Sequence, residues 1–258
     1  MLIEYRGLGK RFWKGGKPIQ AIENLTFSVA KGEFVSVVGP SGCGKSTLLN
    51  LAAGLMAPTA GEVRYDGVPV TDVNHRVGYM TQKDNLMPWR TVEGNVDLAL
   101  RIQGVGRAER RDRARHFIEL VGLGGFENHY PGELSGGMRK RVALARLLVY
   151  DPETLLMDEP FGALDAQLKM VMHEELLAIR DRTGKTIVFV THDLTEAVTL
   201  SDRVVVLAPR PGRVKMIHDV PLARPRNVFQ IRFTPQFGEV FETLWGAIEQ
   251  DMRKGEEV

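Results

Sequence analysis

Short apolar runs rich in β-branched and aromatic residues recur through the first 38 positions of the chain. They occupy residues 2–5, 25–29 and 34–38, and glycine and lysine separate them. This pattern is typical of β-strands. The KGGK sequence at residues 14–17 predicts the loop of a hairpin, because glycine permits the backbone angles that tight turns require.

Further along the chain, strand patterns alternate with helical ones. Residues 46–53 (STLLNLAA) predict a helix that Gly54 ends. The later elements are short strands at 61–80, a densely charged helical segment at about 91–146, strands at 155–157, 186–190 and 204–207, and a helix at about 166–182. Strands that alternate with helices predict an α/β fold with a mostly parallel sheet.

The last 40 residues carry one apolar stripe at helical spacing. It consists of Phe237, Val240, Phe241, Leu244, Trp245 and Ile248. Burial would stabilise each such side chain by roughly 1.5–3 kcal/mol. We expect this amphipathic helix to pack onto the body of the protein; a partner-binding helix is the alternative.

Composition narrows the possible functions. The 258 residues are 43% hydrophobic and 26% charged, an ordinary globular composition that argues against a disordered chain. The 34 Lys and Arg nearly balance the 32 Asp and Glu, so the charge gives no support to nucleic-acid binding. Acidic side chains interleave with the arginines of residues 107–116, which favours a solvated helix face over a nucleic-acid patch.

The cysteine content and the lack of targeting or membrane-spanning patterns indicate the cellular compartment. A single cysteine, Cys43, cannot form an intrachain disulfide and suits a reducing cytosol. The uncharged stretch at residues 46–61 is too short for a transmembrane helix, and the N-terminus lacks a signal-peptide pattern. We therefore expect a soluble protein that can still associate with a membrane protein.

Residues 39–46 match the phosphate-loop pattern G-x-x-x-x-G-K-[ST], between a buried-strand pattern and a helix. Glycine lets backbone N–H groups turn towards a phosphate, and the helix N-terminus favours negative charge. Lys45 would reach the β- and γ-phosphates, and the Ser46 hydroxyl would bind Mg²⁺. The predicted nucleotide-binding residues are Gly39, Pro40, Ser41, Gly42, Cys43, Gly44, Lys45, Ser46 and Thr47.

Cys43 lies inside this loop. A thiol beside a lysine and a helix N-terminus is expected to be reactive. The alternative is that Cys43 is a small filler.

Two carboxylates follow an apolar strand in the sequence TLLMDEP, residues 154–160. They would lie at the carboxyl edge of the sheet, where open α/β folds bind ligands. Successive strand side chains point in opposite directions, so Asp158 suits a Mg²⁺ contact and Glu159 suits activation of water. A solvated turn is the alternative for this pair. His192 also follows an apolar strand and would share the edge, although a lone histidine is more often structural.

Together these motifs resemble the ATP-binding-cassette ATPases. The phosphate loop, Gln82, LSGGM at residues 134–138, LLMDEP and THD occur in that family's order, and Ser135 lies 90 residues after Lys45. The resemblance covers about residues 2–215 and departs at Met138, where many members have glutamine. The aromatic residue that stacks on adenine is usually tyrosine; here Phe12 matches that place and Trp13 follows it, which leaves open which ring stacks.

The resemblance implies a P-loop ATPase domain over residues 1–218. It has an N-terminal antiparallel β subdomain and an inserted helical subdomain, and a C-terminal extension follows at 219–258. It also implies a head-to-tail homodimer in which each ATP lies between the phosphate loop of one chain and the LSGG segment of the other. Ser135, Gly136 and Gly137 would contact the γ-phosphate in trans, and Asp165 would touch the other subunit.

For the reaction, the resemblance implies ATP and Mg²⁺ as cofactors. Glu159, His192 and Gln82 would be the catalytic residues. The metal contacts would come from Ser46, Gln82 and Asp158.

Residues 80–96 and 200–214 resemble the branch that serves nitrate, sulfonate and taurine importers. This implies an ATPase on the cytoplasmic face of the membrane that drives the uptake of a small anion through a permease. The permease and a separate binding protein would select the cargo, and no nucleic-acid partner is expected. Leu86 and Trp89 are expected to anchor the permease; local core packing is the alternative for them.

Two other functions within the superfamily are less compatible with the sequence. Repair ATPases usually insert a long coiled coil between the phosphate loop and LSGG, and translation factors usually carry two cassettes.

Overall fold

The computed structural model describes the backbone of residues 1–255 and the side chains of residues 1–249. An antiparallel sheet contains β1 (Ile3–Lys14), β2 (Lys17–Val29), β4 (Ala60–Tyr65) and β5 (Val68–Pro69), in the order β2-β1-β4-β5. Gly15 and Gly16 connect β1 to β2 with positive φ angles, as a tight hairpin requires. The predicted hairpin is therefore confirmed.

A second sheet has the order β10-β9-β3-β8-β7-β6. Its strands are β3 (Phe34–Val38), β6 (Val77–Met80), β7 (Thr154–Asp158), β8 (Thr186–Val190), β9 (Arg203–Leu207) and β10 (Val214–Asp219). Every pair except β9–β10 is parallel, which confirms the predicted mostly parallel sheet. β3, β7 and β8 are buried along their whole length, and most of their residues are apolar.

The helices follow the alternating order that the sequence predicts. They are α1 (Lys45–Ala52), α2 (Val92–Val96), α3 (Leu98–Ile102), α4 (Arg107–Leu120), α5 (Gly136–Leu148), α6 (Ala166–Thr183), α7 (Leu194–Leu200) and α8 (Pro235–Gly255), with 3-10 turns at Pro131–Glu133 and Gln230–Phe233. None of the helices in the described part is long and apolar enough to cross a membrane.

The helices between β6 and β7 enclose their own part of the core. Val96, Leu100, Ile118 and Val142 pack there with apolar side chains of β7 and β8. Arg107, Arg111 and Arg115 of α4 are exposed; Arg115, for example, pairs with Glu93 at 3.3 Å. This helix face is therefore solvated, as its interleaved charges indicate.

Helix α8 packs against α7 and β9, as its apolar stripe predicts. Phe237, Val240 and Leu244 are buried in a cluster that includes Val198 of α7, whereas Trp245 is 45% exposed. The division into a domain of 1–218 and an extension of 219–258 stays a prediction, and residues 256–258 lie outside the described part.

Candidate nucleotide site

The loop between β3 and α1 forms one wall of a cavity of about 370 Å³. Gly44, the residue before α1, has a φ of 101°, and a Cβ there would lie 2.9 Å from Cγ1 of Ile22. Only glycine fits that angle and that approach without strain. Backbone N–H groups at the start of α1 are therefore free to face a bound anion, because the first turn of a helix leaves them without partners.

Lys45 lines this cavity, and Asp158 is buried next to Ser46, outside the cavity lining. Lys45 Nζ donates to the carbonyls of Gly39 at 2.7 Å and Pro40 at 3.0 Å. Burial raises the pKa of the Asp158 carboxyl, while a hydrogen bond from the Ser46 hydroxyl lowers it. A hydroxyl beside a carboxylate offers the oxygen donors that Mg²⁺ prefers, and a divalent cation would stabilise the charged form of Asp158.

Glu159 meets two polar side chains from neighbouring strand ends. Its carboxylate accepts a hydrogen bond from Gln82 Nε2 at 3.2 Å and lies 3.5 Å from Nδ1 of His192. Gln82 follows β6, Glu159 follows β7 and His192 follows β8, so three adjacent strands deliver them to one sheet edge. The φ of Glu159 is 47°, an uncommon value for a residue with a side chain.

The aromatic residues of β1 are placed differently. Phe12 is 38% exposed and lines the same cavity as Lys45, whereas Trp13 is 70% exposed and lies outside the cavity lining. Adjacent strand residues point to opposite faces, so only one of the two rings faces the cavity. The geometry favours Phe12 as the ring that stacks on a nucleotide base.

The LSGG segment lies away from this cavity. The Ser135 hydroxyl accepts from the N–H of Met138 at 3.2 Å and caps α5, while Asp165 caps α6 through the N–H of Leu168 at 2.9 Å. Gly136 and Gly137 form the first turn of α5. None of these four residues lines the cavity that holds Lys45 and Glu159.

Cys43 corrects one expectation from the sequence. Its side chain is fully buried among the apolar residues beneath the phosphate loop. Ser41, Gly42 and Gly44 of the loop line the cavity, but Cys43 does not. Burial raises the pKa of the thiol, although Lys45 acts in the opposite direction. The expectation of a reactive thiol is wrong, because Cys43 faces the core and not the phosphate site.

Leu86 corrects a second expectation. It is buried in the core of the helical region, while Trp89 is 72% exposed. The cause is Asn95, a fully buried residue whose side chain accepts from Met87 N–H at 2.7 Å and donates to Met87 O at 3.1 Å. This clamp folds the segment back onto α2. The prediction that Leu86 is a surface anchor is therefore wrong, whereas Trp89 is exposed and remains a candidate anchor.

A buried polar cluster behind His192 carried no sequence signal. Thr191 Oγ1 donates to Glu196 Oε2 at 2.6 Å, and Lys169 and His173 of α6 lie 3.3 and 3.6 Å from Glu196 Oε1. Burial acts to raise the pKa of Glu196, but the contacts with His173 and Thr191 hold that pKa below its ordinary value. The cluster ties the residue before His192 to α6.

Arg210 is a further cavity residue that the motifs did not identify. Its side chain lines the cavity beside Ser41 and Gly42, and it comes from the turn between β9 and β10. Its position depends on the packing of a distant turn against the phosphate loop, which no local pattern encodes.

Comparison with known proteins gives consistent results. The ABC transporter family model matches residues 22–162. A taurine import ATP-binding protein of Burkholderia pseudomallei is 48% identical, with 93% of each chain covered. An aliphatic sulfonates import ATP-binding protein of Bacillus anthracis is 44% identical, covering 88% of this chain and 89% of that protein. An uncharacterised ABC transporter ATP-binding protein of Methanocaldococcus jannaschii is 49% identical over 90% of this chain and 86% of its own length.

Solved structures agree with these relatives. A dimeric ATP-binding cassette in a post-hydrolysis state, bound to ADP and phosphate, has a TM-score of 0.80 and 34% identity. It covers 86% of this chain and 100% of its own. The fold and the sequence therefore point to the same family.

Proposed function

This chain belongs to the ABC transporter family and is an ATP-hydrolysing cassette, and we propose that it drives the uptake of a small anion through a membrane permease. Nitrate, sulfonates and taurine are the candidate cargoes, and two relatives named for taurine and sulfonate import support the last two. The site's role is to bind and hydrolyse ATP on the cytoplasmic face of the membrane. The cargo is selected by the permease and a separate binding protein.

The observation that carries the catalytic proposal is the convergence of Gln82, Glu159 and His192 at one sheet edge. Glu159 acts as the general base that takes a proton from the attacking water. His192 donates a hydrogen bond to the γ-phosphate, and Gln82 orients the water. Lys45 neutralises phosphate charge, and stacking on Phe12 positions the base.

Ser46, Asp158 and Gln82 would supply oxygen ligands for Mg²⁺, and the bound ion would neutralise charge on the transferred phosphate. Mg²⁺ takes one or two protein carboxylates or hydroxyls and completes its shell with phosphates and water. This matches the small number of oxygen donors that Ser46 and Gln82 offer in the cavity and Asp158 offers beside Ser46.

We also propose the head-to-tail dimer, because one chain does not complete the site. Ser135, Gly136, Gly137 and Asp165 lie outside the cavity that holds the phosphate loop. In the dimer they contact the ATP of the partner chain, and the start of α5 presents the Ser135 hydroxyl and backbone N–H groups to the γ-phosphate. The similarity to dimeric cassettes supports this arrangement.

Permease docking is assigned to a groove of about 450 Å³ between the end of β6 and helices α3 and α5. Leu55 and Ile102 line it and are largely exposed, as is Trp89 on the segment that follows β6. Exposed apolar and aromatic side chains of this kind are frequent anchors in protein interfaces. Leu86 supports the segment from within the core.

Replacement of Glu159 by glutamine tests the catalytic assignment. Glu159→Gln should retain ATP binding and slow hydrolysis by at least about 100-fold, the usual contribution of a general base. It should also accumulate an ATP-bound dimer in size-exclusion chromatography. Glu174→Gln, an exposed change on α6, is the matched control and should keep full turnover. Near-normal turnover of Glu159→Gln would refute the assignment.

The cargo requires a separate experiment. The chain is co-purified with its permease and binding protein in vesicles, and ATP hydrolysis is measured with nitrate, sulfonates, taurine and unrelated solutes. Stimulation by one of these anions supports the importer proposal. Stimulation by cations or sugars alone would contradict it.

A further inference from the structure

The turn at residues 208–213 (APRPGR) lies directly against the phosphate loop. Gly212 N–H donates to Ala21 O at 2.8 Å, and Glu23 N–H donates to Gly212 O at 3.0 Å, so the turn is joined to β2. A Cβ on Gly212 would lie only 2.0 Å from the carbonyl oxygen of Cys43. Glycine is therefore required at this point, and main-chain packing fixes the turn beside the loop.

The two arginines of this turn have different surroundings. Arg213 forms an ion pair with Glu23, a surface pair on β2. Arg210 instead lies over the phosphate loop, where its Nε donates to Gly42 O at 3.2 Å. Across the described residues, no carboxylate lies within 4 Å of the Arg210 guanidinium nitrogens.

The Arg210 guanidinium faces the cavity with most of its hydrogen-bonding capacity unused. A guanidinium has five N–H donors, and Arg210 forms one hydrogen bond with protein atoms. The side chain lines the same cavity as Lys45 and Ser46. A planar guanidinium matches phosphate oxygens in charge and geometry better than any other side chain.

From these observations we propose that Arg210 binds the phosphate chain of the nucleotide, as a second cation beside Lys45. The contact comes from the turn after β9, outside the phosphate loop itself. The proposal rests on the nucleotide site described above and adds a residue to it.

The test is equilibrium binding of ATP and of ADP to the full chain, by competition with a fluorescent ATP analogue. Arg210→Ala should weaken both affinities by about 10-fold, the lower range for a hydrogen bond to a charged group, because the side chain is exposed. The loss should shrink as salt concentration rises, since salt screens the charge. Arg210→Lys should restore part of the affinity.

Arg213→Ala is the matched control, because it removes the same charge from the same turn but breaks only the pair with Glu23. It should bind ATP like the unmodified chain. An equal loss in Arg213→Ala would mean that the turn and not the Arg210 contact matters, and would overturn the proposal. Melting temperatures of both variants establish that the turn stays folded.

Lys45→Ala separates this proposal from the nucleotide site itself. If Lys45→Ala weakens binding and Arg210→Ala does not, the site stands and the Arg210 contact is wrong. If neither variant weakens binding, the phosphate-loop site is wrong as well. A change of ATP-over-GTP selectivity without salt dependence would place Arg210 on the base and overturn the phosphate contact.

Discussion

At the scale of single residues, burial determines how Cys43 can react. Its side chain is fully buried and its thiol pKa is raised by that burial, so both access and thiolate fraction are low at neutral pH. We expect iodoacetamide to label the native chain far more slowly than the chain unfolded in urea, by mass spectrometry. Because burial raises the thiol pKa, the labelling rate of the native chain should begin to rise only at a higher pH than that of the unfolded chain. Fast labelling of the native chain, prevented by ATP, would contradict this.

The two adjacent rings of β1 allow a second residue-scale prediction. Phe12 lines the nucleotide cavity and Trp13 does not. Base–aromatic stacking contributes about 1–3 kcal/mol, so Phe12→Ala should weaken ATP binding by about 5- to 150-fold. Phe12→Tyr should bind normally, because the ring is kept. Trp13→Ala is the control, and a larger loss there than in Phe12→Ala would show that the wrong ring was chosen.

The residues that sequence motifs identified share one property. Glu159 directly follows β7, and Gln82 and His192 lie two residues after β6 and β8, so the order of the strands places all three at one sheet edge. Arg210 and Glu196 lacked such a signal. Their positions depend on contacts between elements far apart in sequence, which one sequence does not encode locally.

At the scale of elements, buried strands were predictable from the sequence and exposed strand ends were not. β8 (residues 186–190) is buried throughout, and its apolar run matched the strand without error. β1 extends to Lys14, about nine residues further than its predicted end at residue 5. Its outer positions are exposed and carry charged side chains, so no alternating pattern marks them. The long hairpin forms because β2 supplies its pairing, not because of local propensity.

Helix α8 provides a prediction at the element scale. Leu244 is fully buried in the cluster with α7, while its neighbour Trp245 is 45% exposed. Leu244→Ala should lower the free energy of unfolding by about 2–5 kcal/mol, because it removes buried apolar surface and leaves a cavity. Trp245→Ala should change it by no more than about 0.5 kcal/mol. Urea denaturation measures both. If α8 instead served to bind a partner, Leu244→Ala would change the free energy of unfolding of the isolated chain by no more than Trp245→Ala does.

At the scale of the whole molecule, the chain divides its chemistry between surfaces. The phosphate loop and Glu159 line one cavity. The LSGG segment lies outside that cavity, and the groove beside α3 is a third, separate surface. In the proposed assembly, one chain is incomplete on two counts, because it requires a second copy for catalysis and a membrane partner for transport. These two proposed interfaces would account for the exposure of large apolar residues such as Ile102.

The segment after β6 allows the membrane partner to be tested. Leu86 is buried and Trp89 is 72% exposed, so the two residues should respond in opposite ways. Leu86→Ala should lower the free energy of unfolding by about 2–5 kcal/mol, whether or not the permease is present. Trp89→Ala should leave the melting temperature and basal ATP hydrolysis unchanged, because few contacts are lost within the chain. It should, however, reduce co-purification of the permease and cargo-stimulated hydrolysis, since exposed aromatic residues often dominate interface energy.

Trp13→Ala is the control for Trp89→Ala, because Trp13 is equally exposed but lies on the β1–β2 hairpin. It should bind the permease normally. If Trp89→Ala instead destabilises the isolated chain, Trp89 acts within the fold and docking must occur elsewhere. A third outcome is that both tryptophan variants retain the permease while Ile102→Ala loses it. The groove beside α3 would then form the interface. The segment after β6 would contribute only the edge of that groove, which Asp84 and Asn85 line.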